Sequence, residues 1–183
     1  MKKILYLVAG PNGSGKTTFA IELLRKEKML FLNADDIKAR KNLSSIQAGK
    51  EYFRELGRIV KSGKSVVLET TLSGKNHRRF MKNFMAAGYE IRLFYVFLDN
   101  AESCVARVVL RVAKGGHDVP AEDIIRRYER SRKEFFNVKN KMDSWVLVYN
   151  GTDKCEVVAK GKGKVAQVLN EDLYDDFAKG ADK

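Results

Sequence analysis

The segment Gly10-Pro11-Asn12-Gly13-Ser14-Gly15-Lys16-Thr17 has the spacing G-x-x-x-x-G-K-[ST]. An apolar run precedes it and an amphipathic helical pattern follows it. Glycines let successive backbone N–H groups curl around a di- or triphosphate. The helix that follows aims its positive end at the same phosphates. In that frame Lys16 reaches the β- and γ-phosphates as a point charge, and Thr17 binds Mg²⁺ through its hydroxyl. A glycine-rich turn without a ligand needs no Lys-Thr at this position. Guanine-specific GTPases carry Asn-Lys-x-Asp after a late strand. Here Asn150-Gly151-Thr152-Asp153 lacks the lysine, and no Asp-x-x-Gly is present to report a γ-phosphate. The sequence therefore favours ATP, and 150–153 reads as a turn.

Three acids fall at the carboxyl ends of β-rich runs, where ligands of parallel sheets bind. Asp35 lies two residues past Met29–Asn33, Glu69 closes Ser65–Leu68, and Asp99 closes Ile91–Leu98. Phosphoryl transfer needs a carboxylate to orient the acceptor hydroxyl and take its proton. Capping competes with that role: Asp35 or Asp36 could cap a helix at Ile37–Lys41, and Asp99 is expected to cap one beginning near Ala101. Arg107, Arg111, Arg126, Arg127, Arg130 and Arg132 flank the loop Lys114-Gly115-Gly116-His117-Asp118-Val119-Pro120. This is the composition of a lid whose guanidinium groups grip phosphoryl oxygens. Two of the six arginines are expected to touch phosphate and the rest to be solvated. Pairs spaced i,i+4 are expected at Asp123–Arg127 and Arg130–Glu134. His117 reads as a hydrogen-bonding lid residue without a chemical role.

Positioning such groups requires alternating strands and helices. Strands are predicted at Lys3–Ala9, Met29–Asn33, Ser65–Glu69, Ile91–Asp99, Trp145–Asn150 and Cys155–Lys160, the last two forming an edge hairpin. Helical faces are set by Phe19, Ala20, Leu23 and Leu24, then by Tyr52, Phe53, Leu56, Ile59 and Val60. Phe80, Met81, Phe84 and Met85 make a third, Val105, Val108 and Val112 a fourth, and Ile124, Tyr128 and Phe135 a fifth. Gly63 and Gly88 read as helix C-termini, and a terminal helix is expected around Val165–Ala178. The pattern predicts an α/β fold: a doubly wound, mostly parallel sheet with helices on both faces and a helical lid at about 107–127. At 183 residues the chain suits a single domain over 1–183.

Composition narrows the partners. The hydrophobic share of 44% argues against disorder. No apolar run reaches the roughly 20 residues that cross a bilayer. Met1-Lys2-Lys3 before Ile4–Ala9 looks like the start of a signal peptide, but the glycine-rich loop follows at once without a cleavage site. It reads as a strand, and the expected location is the cytoplasm. Cys104 and Cys155 show no disulfide or zinc spacing and read as reduced, structural thiols. A net charge of +12 favours an anionic partner. A nucleic-acid-handling ATPase or polynucleotide kinase is one alternative, weakened by the lack of an aromatic-plus-basic binding module. A nucleotide-gated interaction protein is another.

The chain also resembles the zeta-toxin family of P-loop kinases. The matching pieces are Ala9 through Thr18, Phe31-Leu32-Asn33-Ala34-Asp35-Asp36-Ile37, Leu68-Glu69-Thr70-Thr71-Leu72-Ser73-Gly74, and Arg107 through Pro120 with Arg127-Tyr128 after it. They occur in the family's order over roughly positions 1 to 160. The resemblance implies transfer of the ATP γ-phosphate to a hydroxyl of a small molecule, the sugar of UDP-N-acetylglucosamine in members studied as toxins. It implies nucleotide contacts from Gly10, Pro11, Asn12, Gly13, Ser14, Gly15, Lys16, Thr17 and Thr18, with Mg²⁺ on Thr17. It implies Asp35 as catalytic base and Glu69 and Thr71 at the acceptor. Arg111, with Arg127 or its neighbour Arg126, neutralises the γ-phosphate in this reading. An antitoxin protein is the implied partner of the toxins, whose longer additions around the acceptor site this chain lacks. The Gly-Gly-His-x-Val-Pro form is typical of compact stand-alone relatives.

Overall fold

The computed structural model describes residues 2–26, 29–74, 76–151 and 155–181; the side chains of Lys26, Asp35, Ala39, Arg40 and Ser45 lie outside the described set. The chain runs β1 (Ile4–Ala9), α1 (Lys16–Lys26), β2 (Leu30–Leu32), α2 (Ala34–Lys41), α3 (Ser45–Ser62), β3 (Val66–Thr70) and α4 (Asn76–Ala86). It continues through β4 (Glu90–Phe97), α5 (Ala101–Ala113), α6 (Ala121–Lys139), β5 (Ser144–Tyr149), β6 (Glu156–Lys162), β7 (Val165–Val168) and α7 (Glu171–Lys179). One sheet of seven strands has the order β2-β3-β1-β4-β5-β6-β7. The first five are parallel, and β6 and β7 add antiparallel at one edge.

β1 lies in the middle, and its apolar run is buried on both faces, as a central parallel strand requires. Leu5 and Leu7 join the larger core with Tyr52, Leu56 and Ile59 of α3, Phe80 and Phe84 of α4, Phe135 of α6 and Phe177 of α7. Tyr6 and Val8 face the other way and pack with Ala20, Phe19 and Leu23 of α1. A third cluster joins α5 to α6 through Cys104, Val108, Ile124 and Tyr128. Burial pushes the Cys104 thiol up to about 12, which suits an inert packing residue. Gly63 closes α3 in the left-handed conformation, and Ser44 opens it with a capping box.

Helix α6 is anchored along its second half. Tyr95 Oη bonds Ser131 Oγ at 2.7 Å, and Arg132 donates to the carbonyls of Asp176 and Phe177 at 2.7 and 2.6 Å. Its first half packs on α5, and Tyr128 Oη donates to the carbonyls of Leu98 and Asp99 just past β4, both at 2.9 Å.

Five expectations need correction. The segment Val165–Ala178 is not one helix: β7 comes first, after a turn at Gly163 with φ 53°. α7 starts only at Glu171, where Asn170 Oδ1 accepts from Leu173 N–H. Asp99 does not cap α5. Asn100 does, accepting from Ser103 N–H at 2.8 Å, while Asp99 accepts from Tyr149 Oη at 2.7 Å. α2 begins at Ala34, so Asp35 and Asp36 stand inside its first turn rather than before it. Arg132 is not solvated but buried, and Glu134 pairs with His77 and Arg78 instead of Arg130. The pair Asp123–Arg127 forms at 3.3 Å. Among the described residues no helix is long and apolar enough to cross a membrane.

Candidate active site

The loop between β1 and α1 is shaped by what sits behind it. Gly10 has φ 139°, and a Cβ there would stand 2.1 Å from the Val96 carbonyl oxygen. Gly13 has φ 82°, and its Cβ would stand 2.3 Å from the Cys104 carbonyl oxygen. Only glycine lets the loop press this closely on β4 and α5. Gly13→Ala is therefore expected to cost more than about 2 kcal/mol, from positive φ and a backbone clash together. A chemical denaturation midpoint equal to that of the parent would contradict this packing.

Gly10, Pro11 and Ser14 form the buried back of the loop, while Gly13, Gly15, Lys16, Thr17 and Thr18 line an open cavity of about 800 Å³. Ser14 Oγ is buried with no hydrogen-bond partner among the described residues. The loop ends at the N-terminus of α1, where unpaired backbone N–H groups suit an anion such as a polyphosphate. Lys16 is 6% exposed, and its Nζ donates to the Pro11 carbonyl at 2.7 Å. Thr17 Oγ1 donates to both Glu69 oxygens, at 3.1 and 2.9 Å, from the end of the neighbouring β3. Asn33 Nδ2 donates to Glu69 Oε2 at 3.1 Å. Thr17 and Glu69 thus offer a hydroxyl and a carboxylate together, a donor set that suits a hard cation keeping most of its waters. No cluster of three or more metal-ligating acids, histidines or cysteines exists among the described residues.

The arginines face this loop. Arg127 Nη1 donates to Asn12 Oδ1 at 3.2 Å, and Asp123 holds both Arg126 and Arg127. Arg111 Nη2 donates to the His117 carbonyl. Arg107 Nη2 donates to the Asn150 carbonyl at 2.7 Å. Arg107, Arg111, Arg126, Arg127 and Arg130 all line the cavity. The lining also takes in Thr71 and Ser73, hydrogen-bonded at 2.9 Å, with Tyr52 and Phe53 of α3 and Asn76, His77 and Phe80 of α4. Burial pushes the Tyr52 hydroxyl up, and the Glu69 charge adds to the effect.

The structure gathers Asn12, Gly13, Gly15, Lys16, Thr17, Thr18, Glu69, Thr71, Arg111, Arg126 and Arg127 around one cavity. Asp35 is placed only by its backbone, in the first turn of α2; its side chain lies outside the described residues. Sequence reasoning missed Asn33, His77 and Asn150. Asn150 Nδ2 donates to the Ser14 carbonyl at 2.8 Å, so the residue read as part of a turn braces the phosphate loop. A polar residue at the carboxyl end of β5 was the signal that could have found it.

The AAA-domain family model AAA_33 matches residues 5–135. An uncharacterised protein of Haemophilus influenzae (strain Rd) is 31% identical over 130 residues, which are 68% of this chain and 90% of the relative. Among solved structures, AvrRxo1-ORF1:-ORF2 with ATP superposes with a TM-score of 0.78 at 19% identity, over 96% of this chain. The chain spans 63% of that protein's length. The PezAT chromosomal toxin–antitoxin system of Streptococcus pneumoniae gives a TM-score of 0.70 at 13% identity, covering 99% of this chain and 86% of that one. At these identities the two structures establish a shared fold. The mostly parallel sheet, the glycine loop before α1 and the match over 5–135 lead to one assignment: the chain belongs to the AAA_33 family of AAA domains.

Proposed function

We propose that this chain is an ATP-dependent kinase, one domain over 1–183, that moves the γ-phosphate to a hydroxyl of a small molecule. The observation that carries the reading is the convergence of two sets of groups on one cavity. Lys16 and the loop line it together with Arg111, Arg126 and Arg127, and Arg127 is bonded to the loop at Asn12. A loop that merely binds nucleotide has no need of an arginine arm; a transferring phosphoryl group, with charge spread over three oxygens, does. ATP rather than GTP is supported by the absence of a guanine-reading motif, and ATP is what the AvrRxo1 structure holds.

In this reading the loop amides and Lys16 hold the β- and γ-phosphates. Thr17 would hold Mg²⁺, with Glu69 as the carboxylate beside it; when bound, the ion neutralises charge between the β- and γ-oxygens. That shifts Glu69 from the acceptor role implied by the zeta-toxin resemblance toward the metal. Asp35 orients the acceptor hydroxyl and takes its proton. Arg111 and Arg127 neutralise the γ-phosphate, Arg127 being the one already bonded to the loop through Asn12. Thr71 and Arg126 meet the acceptor. A nucleotide sugar such as UDP-N-acetylglucosamine is the first acceptor to try. The compared structures include an ORF1:-ORF2 complex and a toxin–antitoxin system, which supports a protein partner for this chain as well.

The test is incubation with Mg²⁺, γ-labelled ATP and a panel of nucleotide sugars, nucleosides and cell extract, with labelled products identified by mass. Label is expected on a hydroxyl of a small molecule. Label found only in inorganic phosphate, or on RNA or DNA fragments in the extract, would overturn the reading.

A further inference from the structure

Beside the cavity, α4 and α6 are tied by a cluster that involves no residue of the phosphate loop. Glu134 of α6 is 9% exposed and accepts from four donors. Arg78 Nε reaches Oε1 at 2.7 Å and Arg78 Nη2 reaches Oε2 at 2.5 Å. Asn137 Nδ2 reaches Oε2 at 3.2 Å, and His77 Nε2 stands 2.7 Å from Oε1. Burial alone would raise the Glu134 carboxyl, but the hydrogen bonds from Arg78, His77 and Asn137 outweigh it and hold it down at about 2. Glu134 is therefore a carboxylate, which only accepts. The proton between the two groups belongs to the histidine, and Nε2 is the donor.

The other ring nitrogen then depends on the charge of the ring: the imidazolium carries a proton there too. In a neutral imidazole that donates through Nε2, Nδ1 carries a lone pair. Nδ1 has no hydrogen-bond partner among the described residues. His77 is 3% exposed and lines the cavity together with Thr71, Ser73, Asn76 and Phe80. Arg78 and Asn137 occupy the remaining oxygen capacity of Glu134, so an incoming molecule meets the imidazole and not the carboxylate.

We propose that His77 works as the neutral imidazole and is a specificity-determining residue for the acceptor, its Nδ1 accepting a hydrogen bond from a hydroxyl or amide N–H of that molecule, with Glu134 as the positioning residue that keeps the proton on Nε2. The proposal rests on the kinase reading of the cavity. It names the chemistry of the second substrate at this spot: a neutral donor group of a sugar, polyol or amide. An anionic oxygen there would meet a lone pair and be repelled. Anionic parts of the acceptor belong instead with Arg126 and Arg130, which line the same cavity.

The first measurement needs no substrate. Long-range ¹H–¹⁵N correlation spectra of the labelled wild-type chain should show His77 Nε2 protonated and Nδ1 bare. In Glu134→Gln that pattern should be lost or averaged. A protonated Nδ1 in the wild type overturns the inference whatever the kinase assay gives. The second measurement uses the panel compound that takes up label. His77→Gln keeps an N–H for Glu134 and moves the acceptor atom away from the Nδ1 position; it should raise KM for that compound about 10-fold and leave KM for ATP within about twofold. His77→Asn keeps an acceptor atom near the Nδ1 position and should recover part of the loss. Equal changes in both KM values, or none, would mark the cluster as a structural tie and overturn the substrate role. A panel in which nothing takes up label, with ATP still bound, removes the kinase reading and the substrate role together, while the tautomer measurement stands by itself.

Discussion

Lys16→Ala is expected to lose both nucleotide affinity and turnover. The lysine is buried at the mouth of α1, and its ammonium already sits 2.7 Å from a loop carbonyl. A polyphosphate placed over the loop would exchange that neutral partner for charged oxygens, and charge-assisted bonds are about twice as strong. Truncating one partner of a desolvated charge pair costs about 2–5 kcal/mol, or roughly 30-fold or more in affinity. Transfer should fall further, because the same charge faces the oxygens on which negative charge grows; removing one such donor costs about 10²–10³-fold in rate. Folding should survive, since neither the sheet nor the α1 contacts to Tyr6 and Val8 depend on the ammonium. Calorimetric titration with Mg·ATP, beside a circular dichroism spectrum, reads both halves. An unchanged titration would defeat the assignment of the loop.

The parts of the site legible in the sequence are those built from neighbours in the chain. β1, the glycine loop and α1 are consecutive, and each signals itself: an apolar run, glycines at turns, then a helical stripe. The pair Asp123–Arg127 follows from helical spacing alone. What stayed hidden is set by approach across the fold. Arg127 meets Asn12, Asn150 meets Ser14 and His77 meets Glu134. In each case local spacing says nothing about the partner. Arg130–Glu134 had the right spacing and did not form, because α4 delivers a buried histidine and a forked guanidinium to the same carboxylate. At Asp99 and Asn100, two adjacent residues could both cap α5. The choice was made by Tyr149 on the neighbouring β5, which engages Asp99 and leaves Asn100 at the helix. Val165–Ala178 was misread for a related reason. Val165 and Val168 gain strand structure only by pairing with β6 at the sheet edge.

Asp35→Asn is expected to separate binding from chemistry. Asn33, just before α2, donates to Glu69, which in turn accepts from Thr17. The start of α2 is thereby tied to the place where Thr17 and Glu69 meet. Its residue Asp36 lines the cavity. Asparagine at 35 keeps the size and helical backbone of the aspartate but cannot take a proton from an attacking hydroxyl. ATP affinity should therefore remain within about threefold of the parent, because Lys16 and the loop are untouched. Phosphoryl transfer should drop by about 10²-fold or more, the ordinary worth of a positioned base. The loss should appear in kcat with little change in either KM, the pattern of an interaction made only in the transition state. Asp36→Asn is the companion: if it takes the larger loss while Asp35→Asn retains transfer, the base role moves one residue along the helix. If both variants transfer at the parent rate, no carboxylate of α2 handles the proton, and Glu69 becomes the group to test.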